Sequence, residues 1–290
     1  MPFLLSLAAA FLFGSGDFVG GLASRRASPL RVAVTSQWVG LGILLPAFLI
    51  FGNSPNRSSL AWGAASGFAT GLGLVFLFRA LAADTMAIGA ALAGIFTAVI
   101  PVVFGLLTGE RPAAIAAVGL VLAIGSIAAI VYERTGESDR EPGASGGGLS
   151  LATLRRRGVI DGIIAGVGWG GTSIFLAQTP IDGGLWPLAS AQMATVLVLT
   201  AFALGSGAGL IPQRDAVLPS AGVGVLHLTG VTLFLVALQR GMLTLVAVVQ
   251  SLYPAVTILL ARVILEEKLV RRQVAGLIAA GVGVVLIGLG

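Results

Sequence analysis

Asp17 is the residue in this sequence whose chemistry is hardest to hide. It lies inside the apolar run LAAAFLFGSGDFVGGLA. An ionised carboxylate in such a run costs several kcal/mol unless it is paired, hydrated or protonated, so it normally faces a cavity. Its chemistry there is proton coupling, or counter-charge for a cationic solute. The structural alternatives are a pair with Arg79 or snorkelling toward Arg25 and Arg26. His227 is the only histidine. An imidazole titrates near neutrality and can relay a proton, although a lone histidine is more often a hydrogen-bonded interior residue. With no cysteine and no second histidine, thiolate or His-rich metal sites have no ligand set, and no cofactor is expected.

A second group of residues is polar without being charged. Gln37, Thr97, Gln192 and Gln250 are hydrogen-bonding side chains in otherwise apolar surroundings, and Ser251, Tyr253, Thr172 and Ser173 extend the set. Such groups on cavity-facing helices suit a small polar or amphipathic organic solute. Bonds between helices are their competing use. Trp38 and Trp169 are candidates to stack an aromatic solute, whereas Trp62 and Trp186 read as interfacial anchors.

The elements that must position these residues follow from composition. Of the 290 residues, 57% are hydrophobic, 10% are charged and 42 are glycine, and the mean hydropathy is +1.02. Soluble domains carry about 25% charged residues, so a water-soluble globule is excluded and the bilayer is the natural solvent. The net charge of +5 does not indicate nucleic acid, because the basic residues are scattered over short connections rather than gathered on one face. Apolar runs long enough to span about 30 Å of hydrocarbon as helix occur at 3–22, 32–51, 60–78, 87–107, 113–132, 158–177, 185–205, 217–236, 243–261 and 273–290. The first run has no basic leader and reads as a span, not a cleavable signal. The expected architecture is an all-α membrane protein of ten transmembrane helices.

Residues 133–157 are the only long polar stretch and read as a linker between halves 1–132 and 158–290. An offset of 157 residues then aligns the halves. Gly67, Gly73, Ala80 and Leu81 fall on Gly224, Gly230, Ala237 and Leu238, Phe96 falls on Tyr253, and Glu110 falls on Glu267. Offset by 156, Phe13-Gly14 meets Trp169-Gly170. The same relation sets Thr70 against His227, Gln37 near Gln192, and Ser15 and Asp17 against Thr172 and Ser173. Five spans per half make the second half enter the membrane inverted, the plan of many secondary transporters, with the solute site near the midplane.

Several of these residues carry a resemblance. Phe13-Gly14-Ser15, Ala80-Leu81 and Thr108-Gly109-Glu110-Arg111-Pro112 resemble the first repeat of EamA-type transporters of the drug/metabolite transporter superfamily. Ala237-Leu238-Gln239-Arg240-Gly241, Leu252-Tyr253-Pro254 and Leu265-Glu266-Glu267-Lys268-Leu269 resemble the second. The resemblance implies ten helices, a central cavity lined mainly by spans 1–4 and 6–9, and alternating access driven by an ion or exchange gradient; the residues leave direction open, with export the expectation. The sequence departs from that pattern at Gly14-Ser15-Gly16-Asp17-Phe18, where Gly-Ser-Asn-Phe is usual, and at Thr97, which stands opposite Pro254.

Orientation divides two arguments. Connections after the odd-numbered spans hold fourteen of the seventeen Lys and Arg residues, which places both termini away from the cytoplasm by the positive-inside rule; the resemblance implies termini inside. Glu110, Glu266 and Glu267 read as structural, at the positive ends of the helices that follow them. Glycines in spans 5 and 10 offer close contacts within the protein or across a homodimer. Among function classes, a transporter of a small-molecule solute in the cell membrane ranks first. An intramembrane hydrolase pairing His227 with Ser66 lacks a convincing nucleophile elbow, and a channel would need a more polar lining. A non-transporting scaffold is the remaining alternative.

Overall fold

Backbone amides in hydrocarbon find no water, so an apolar run of spanning length folds as a helix that closes its N–H and C=O groups on itself. The computed structural model describes residues 1–51, 56–81, 86–136, 157–266 and 271–289, and no strand occurs among them. In chain order the helices are α1 (Pro2–Ser24), α2 (Pro29–Phe51), α3 (Arg57–Leu81), α4 (Met86–Leu107), α5 (Ala114–Gly136), α6 (Arg157–Ala177), α7 (Trp186–Gly205), α8 (Arg214–Leu238), α9 (Leu243–Gln250), α10 (Tyr253–Ile264) and α11 (Arg271–Leu289). Among the described residues, six stretches are long and apolar enough to cross a membrane: Pro2–Ser24, Arg57–Leu77, Gly158–Ala177, Trp186–Gly205, Arg214–Leu238 and Leu243–Ile264.

Two details are added at this level. The run read as one span over 243–261 is a single stretch long enough to cross, Leu243–Ile264, but within it the helix is interrupted between α9 and α10 by a turn at Ser251 and Leu252. Pro254 is the cause: it brings no N–H, and its ring excludes the carbonyl four residues earlier from a regular helix. The Ser251 hydroxyl donates to the Ala247 carbonyl (2.7 Å), and the Ala255 amide bonds Leu252 O (2.9 Å), so the break leaves these groups satisfied. Of the linker read over 133–157, residues 133–136 continue α5 and Arg157 opens α6. The rest of it, like Glu267 and Lys268, lies outside the described residues.

In lipid, helices associate through close packing and interhelical hydrogen bonds rather than through a hydrophobic drive. Gly67 shows the close packing: a Cβ on it would lie 1.9 Å from the Ala191 carbonyl oxygen, so α3 and α7 meet backbone to backbone. The Thr195 hydroxyl donates to Gly67 O (2.9 Å) at the same contact. Ser6 donates to Val246 O (2.8 Å) and Thr257 to Gly14 O (3.0 Å), binding α1 to α9 and α10. Gly119 and Gly283 abut at the α5–α11 contact, which uses these two glycines within the chain.

The contacts between halves occur in exchanged pairs. α3 packs on α6 as α8 packs on α1, α3 on α7 as α8 on α2, and α4 on α6 as α9 and α10 on α1. Their directions follow from residue contacts. Ser6 meets Val246 and Gly14 meets Tyr253, so α1 runs with α9 and α10. The C-terminal end of α4 lies at the N-terminal end of α9, where Gly105 approaches Thr244, so those two run oppositely. Gly166 meets Ala93 and Gly170 meets Ile100, so α4 and α6 run together. α1 and α6 therefore run in opposite directions.

Candidate functional site

Between the halves lies a cavity of about 820 Å³, lined from α1–α4 and α6–α10; α5 and α11 contribute none of its described lining. It reaches Ser24 and Pro29 at the α1–α2 corner and Leu77 near the end of α3. Away from that corner it ends at Leu188 and Phe234, which belong to a buried cluster with Ala9, Leu176, Leu238 and Leu243. There the Gln239 amide donates to Pro180 O (3.2 Å) and Thr179 Oγ1 (3.4 Å), holding the end of α8 to the end of α6.

Most of the residues singled out from the sequence meet in this space. Asp17, Gln37, Thr97, Trp169, Gln192, His227, Gln250 and Tyr253 all line it. The break between α9 and α10 places Gln250, Tyr253 and Pro254 on the wall. Trp38 is a correction: it is absent from the lining, is 50% exposed on the outside of α2, and its indole donates to Thr200 Oγ1 (3.2 Å). Ser36 and Gln37 already occupy the cavity-facing arc of α2, and the next step of about 100° along the helix carries Trp38 out of it.

Asp17 and His227 form the centre of the site. His227 Nε2 lies 3.4 Å from Asp17 Oδ1, and the Phe13 ring packs on the imidazole at 5.5 Å between centroids. Nε2 is out of solvent contact and has no hydrogen-bond partner among the described residues; Asp17 Oδ1 is within ion-pair range but beyond the usual N–H···O distance. The reason α1 brings Gly16 to this level is steric: a Cβ there would fall 2.7 Å from Nε2. The Asp17 side chain is 40% exposed and that of His227 27%. Among the described residues, no serine hydroxyl is hydrogen-bonded to His227.

The alternative pairing of Asp17 with Arg79 does not form. Arg79 lies 3.4 Å from Asp161 and over the Phe76 ring at 5.0 Å. α3 packs on α6, which carries Asp161, whereas α1 packs on α8, which carries His227. Glu110 is also corrected. Its carboxylate accepts the amides of Leu243 (2.6 Å) and Thr244 (2.8 Å), so it caps α9 in the other half rather than serving the helix that follows it.

The remaining polar groups are largely committed to each other. Gln192 Nε2 donates to Gln37 Oε1 (2.7 Å) and to Gln37 O (2.8 Å), joining two glutamines that the sequence offset sets near each other. The Thr97 hydroxyl donates to Ala93 O within its own helix (2.8 Å). Thr70 and Thr172, not recognised as a pair in the sequence, share a 2.8 Å hydrogen bond. The signal was present in the offset, which sets Thr70 against His227, and Thr172 and Ser173 against Ser15 and Asp17.

Fold and site together define a helical membrane protein with a central, mostly apolar cavity that is polar at its middle. A profile of the EamA-like transporter family matches residues 1–132 and 156–289, and the chain belongs to that family. A solved crystal structure of a protein shares the fold, with a TM-score of 0.77 at 17% identity, over 99% of this chain and 96% of the other. No curated protein sequence matches it. The family is one of transporters of small solutes across membranes.

Proposed function

We propose that the protein is a secondary active transporter that exports a small organic solute across the cytoplasmic membrane by alternating access, driven by protons or by exchange. Ten spans form two inverted five-helix repeats, 1–132 and 158–290, joined by residues 133–157. The exchanged pairs of contacts and the opposite directions of α1 and α6 support that arrangement. The observation that carries the function is the cavity of about 820 Å³, lined from both halves and holding Asp17 and His227 in an otherwise uncharged wall. A site placed between inverted halves is what rocking of one half against the other would expose to alternate sides.

Asp17 is the coupling residue in this reading, and the amides of Gln37, Gln192 and Gln250 contact the solute. A thermal-shift screen of the purified protein identifies solutes, since a ligand stabilises only the state that binds it. Uptake of those solutes into liposomes under an imposed pH gradient then tests transport. Gradient-dependent accumulation is expected, lost in Asp17→Asn protein that folds normally. Absence of accumulation for every stabilising solute overturns the transporter reading; full proton-driven uptake by folded Asp17→Asn overturns the coupling role.

A further inference from the structure

We propose that the cavity takes an organic monocation with an apolar or aromatic body, and that binding it releases one proton from His227. This rests on reading the cavity as the solute site. The charge inventory comes first. Among the described lining residues, Asp17 is the only carboxylate, His227 the only basic group and Tyr253 the only phenol; neither Lys nor Arg is among them. An anion entering here would leave water to meet a carboxylate, and the one basic group, His227, is already paired with that carboxylate, which makes the added negative charge costly in a low-dielectric space. A cation meets Asp17, whose side chain is 40% exposed to that space. The rings of Phe13, Trp169 and Tyr253 and the aliphatic wall accept its body.

Geometry puts the exchanged proton on His227, and Asp17 couples through its charge, which imidazolium and solute cation share in turn. A proton on Nε2 has one counter-charge within reach, Asp17 Oδ1 at 3.4 Å, and makes no hydrogen bond that would otherwise hold it. The elements packed against α8 bring no second charge to the cavity. α1 brings Asp17, α2 brings Ser36 and Gln37, α6 brings Trp169 and Thr172, and α9 with the following turn brings Gln250 and the Tyr253 phenol. With the cavity empty, the imidazolium neutralises Asp17. An arriving ammonium sets two positive charges around one carboxylate. The N–H bond at His227 then breaks, its electron pair stays on the ring nitrogen, and the proton leaves to water in the cavity. The site carries the same net charge before and after, so no uncompensated charge is moved into the protein interior. The related position in the other half holds the neutral Thr70–Thr172 pair, already hydrogen-bonded to itself, which leaves one cation position.

The test uses the full-length protein in detergent and weak buffer, titrated with benzyltrimethylammonium, a permanent cation that carries no proton of its own. Heat and a pH indicator are read together, with benzyl alcohol and phenylacetate as neutral and anionic counterparts. Saturable binding is expected, releasing close to one proton per cation at the acid end of a pH series and none at its alkaline end. Affinity for the cation falls about tenfold per pH unit on the acid side, because proton and cation exclude each other. Asp17→Asn lowers affinity at least tenfold, and Asp17→Glu restores it, which separates loss of charge from misfolding. His227→Gln releases no proton, and its affinity no longer varies with pH. Cation binding without proton release at the acid end overturns the proposal, as does tighter binding of phenylacetate or proton release by His227→Gln. Binding with release but no liposome uptake overturns transport and leaves this assignment standing; proton-driven uptake of an anion does the reverse.

Discussion

Replacing Glu110 by alanine removes a side chain of the first half that caps a helix of the second. Its two carboxylate oxygens accept the Leu243 and Thr244 amides at 2.6 and 2.8 Å, at the positive end of α9. A hydrogen bond to a charged group contributes about 1.5–3 kcal/mol, and two that share one carboxylate are not additive, so a loss of about 2–4 kcal/mol is expected. At about 2–4 °C per kcal/mol for a chain of this size, the thermal midpoint should fall by roughly 4–16 °C. Glu110→Gln keeps one acceptor oxygen and should fall between the two. Gly105→Ala should act the same way from the other side, since its Cβ would lie 2.6 Å from Glu110 Oε2 and 2.7 Å from Thr244 Cγ2. Arg111→Ala is the control, because among the described residues that guanidinium bonds Leu106 O and Glu110 O of its own turn. Tryptophan fluorescence of the purified protein in detergent, followed on heating, gives the midpoints. A Glu110→Ala midpoint indistinguishable from that of the parent protein would refute the capping argument.

Other perturbations probe the remaining contacts. Gly67→Val should prevent stable folding, because its Cβ meets the Ala191 carbonyl oxygen at 1.9 Å, whereas Gly42→Ala has open space and should be near neutral; yield of monodisperse protein compares them. Gln192→Leu strips Gln37 of its partner and should weaken solute binding by about tenfold while leaving a folded protein, as read by ligand-induced thermal shift. Arg79→Ala should cost only about 1 kcal/mol despite the buried Asp161, because half of the arginine side chain is exposed and the pair is screened; thermal midpoints at low and high salt measure it. A cysteine at Ser145, in the segment outside the described residues, should resist a membrane-impermeant thiol reagent in intact cells if the charge tally sets orientation.

Much of this was legible in the sequence. An apolar run in lipid can satisfy its backbone only by folding on itself, so helices are written locally and can be read locally. The offset between halves, and the oddness of Asp17 and His227 in apolar surroundings, needed no structure to be noticed. What each side chain meets was another matter. Asp17 meets His227 and not Arg79, Glu110 caps α9 and not its own successor, and Trp38 turns outward while Gln37 turns in. Those outcomes depend on which helix faces close on each other, and here that is decided by backbone contacts at glycines far apart in the chain. Gly16 under His227 and Gly67 against Ala191 are contacts whose partners lie in the other half, so only tertiary packing could choose them.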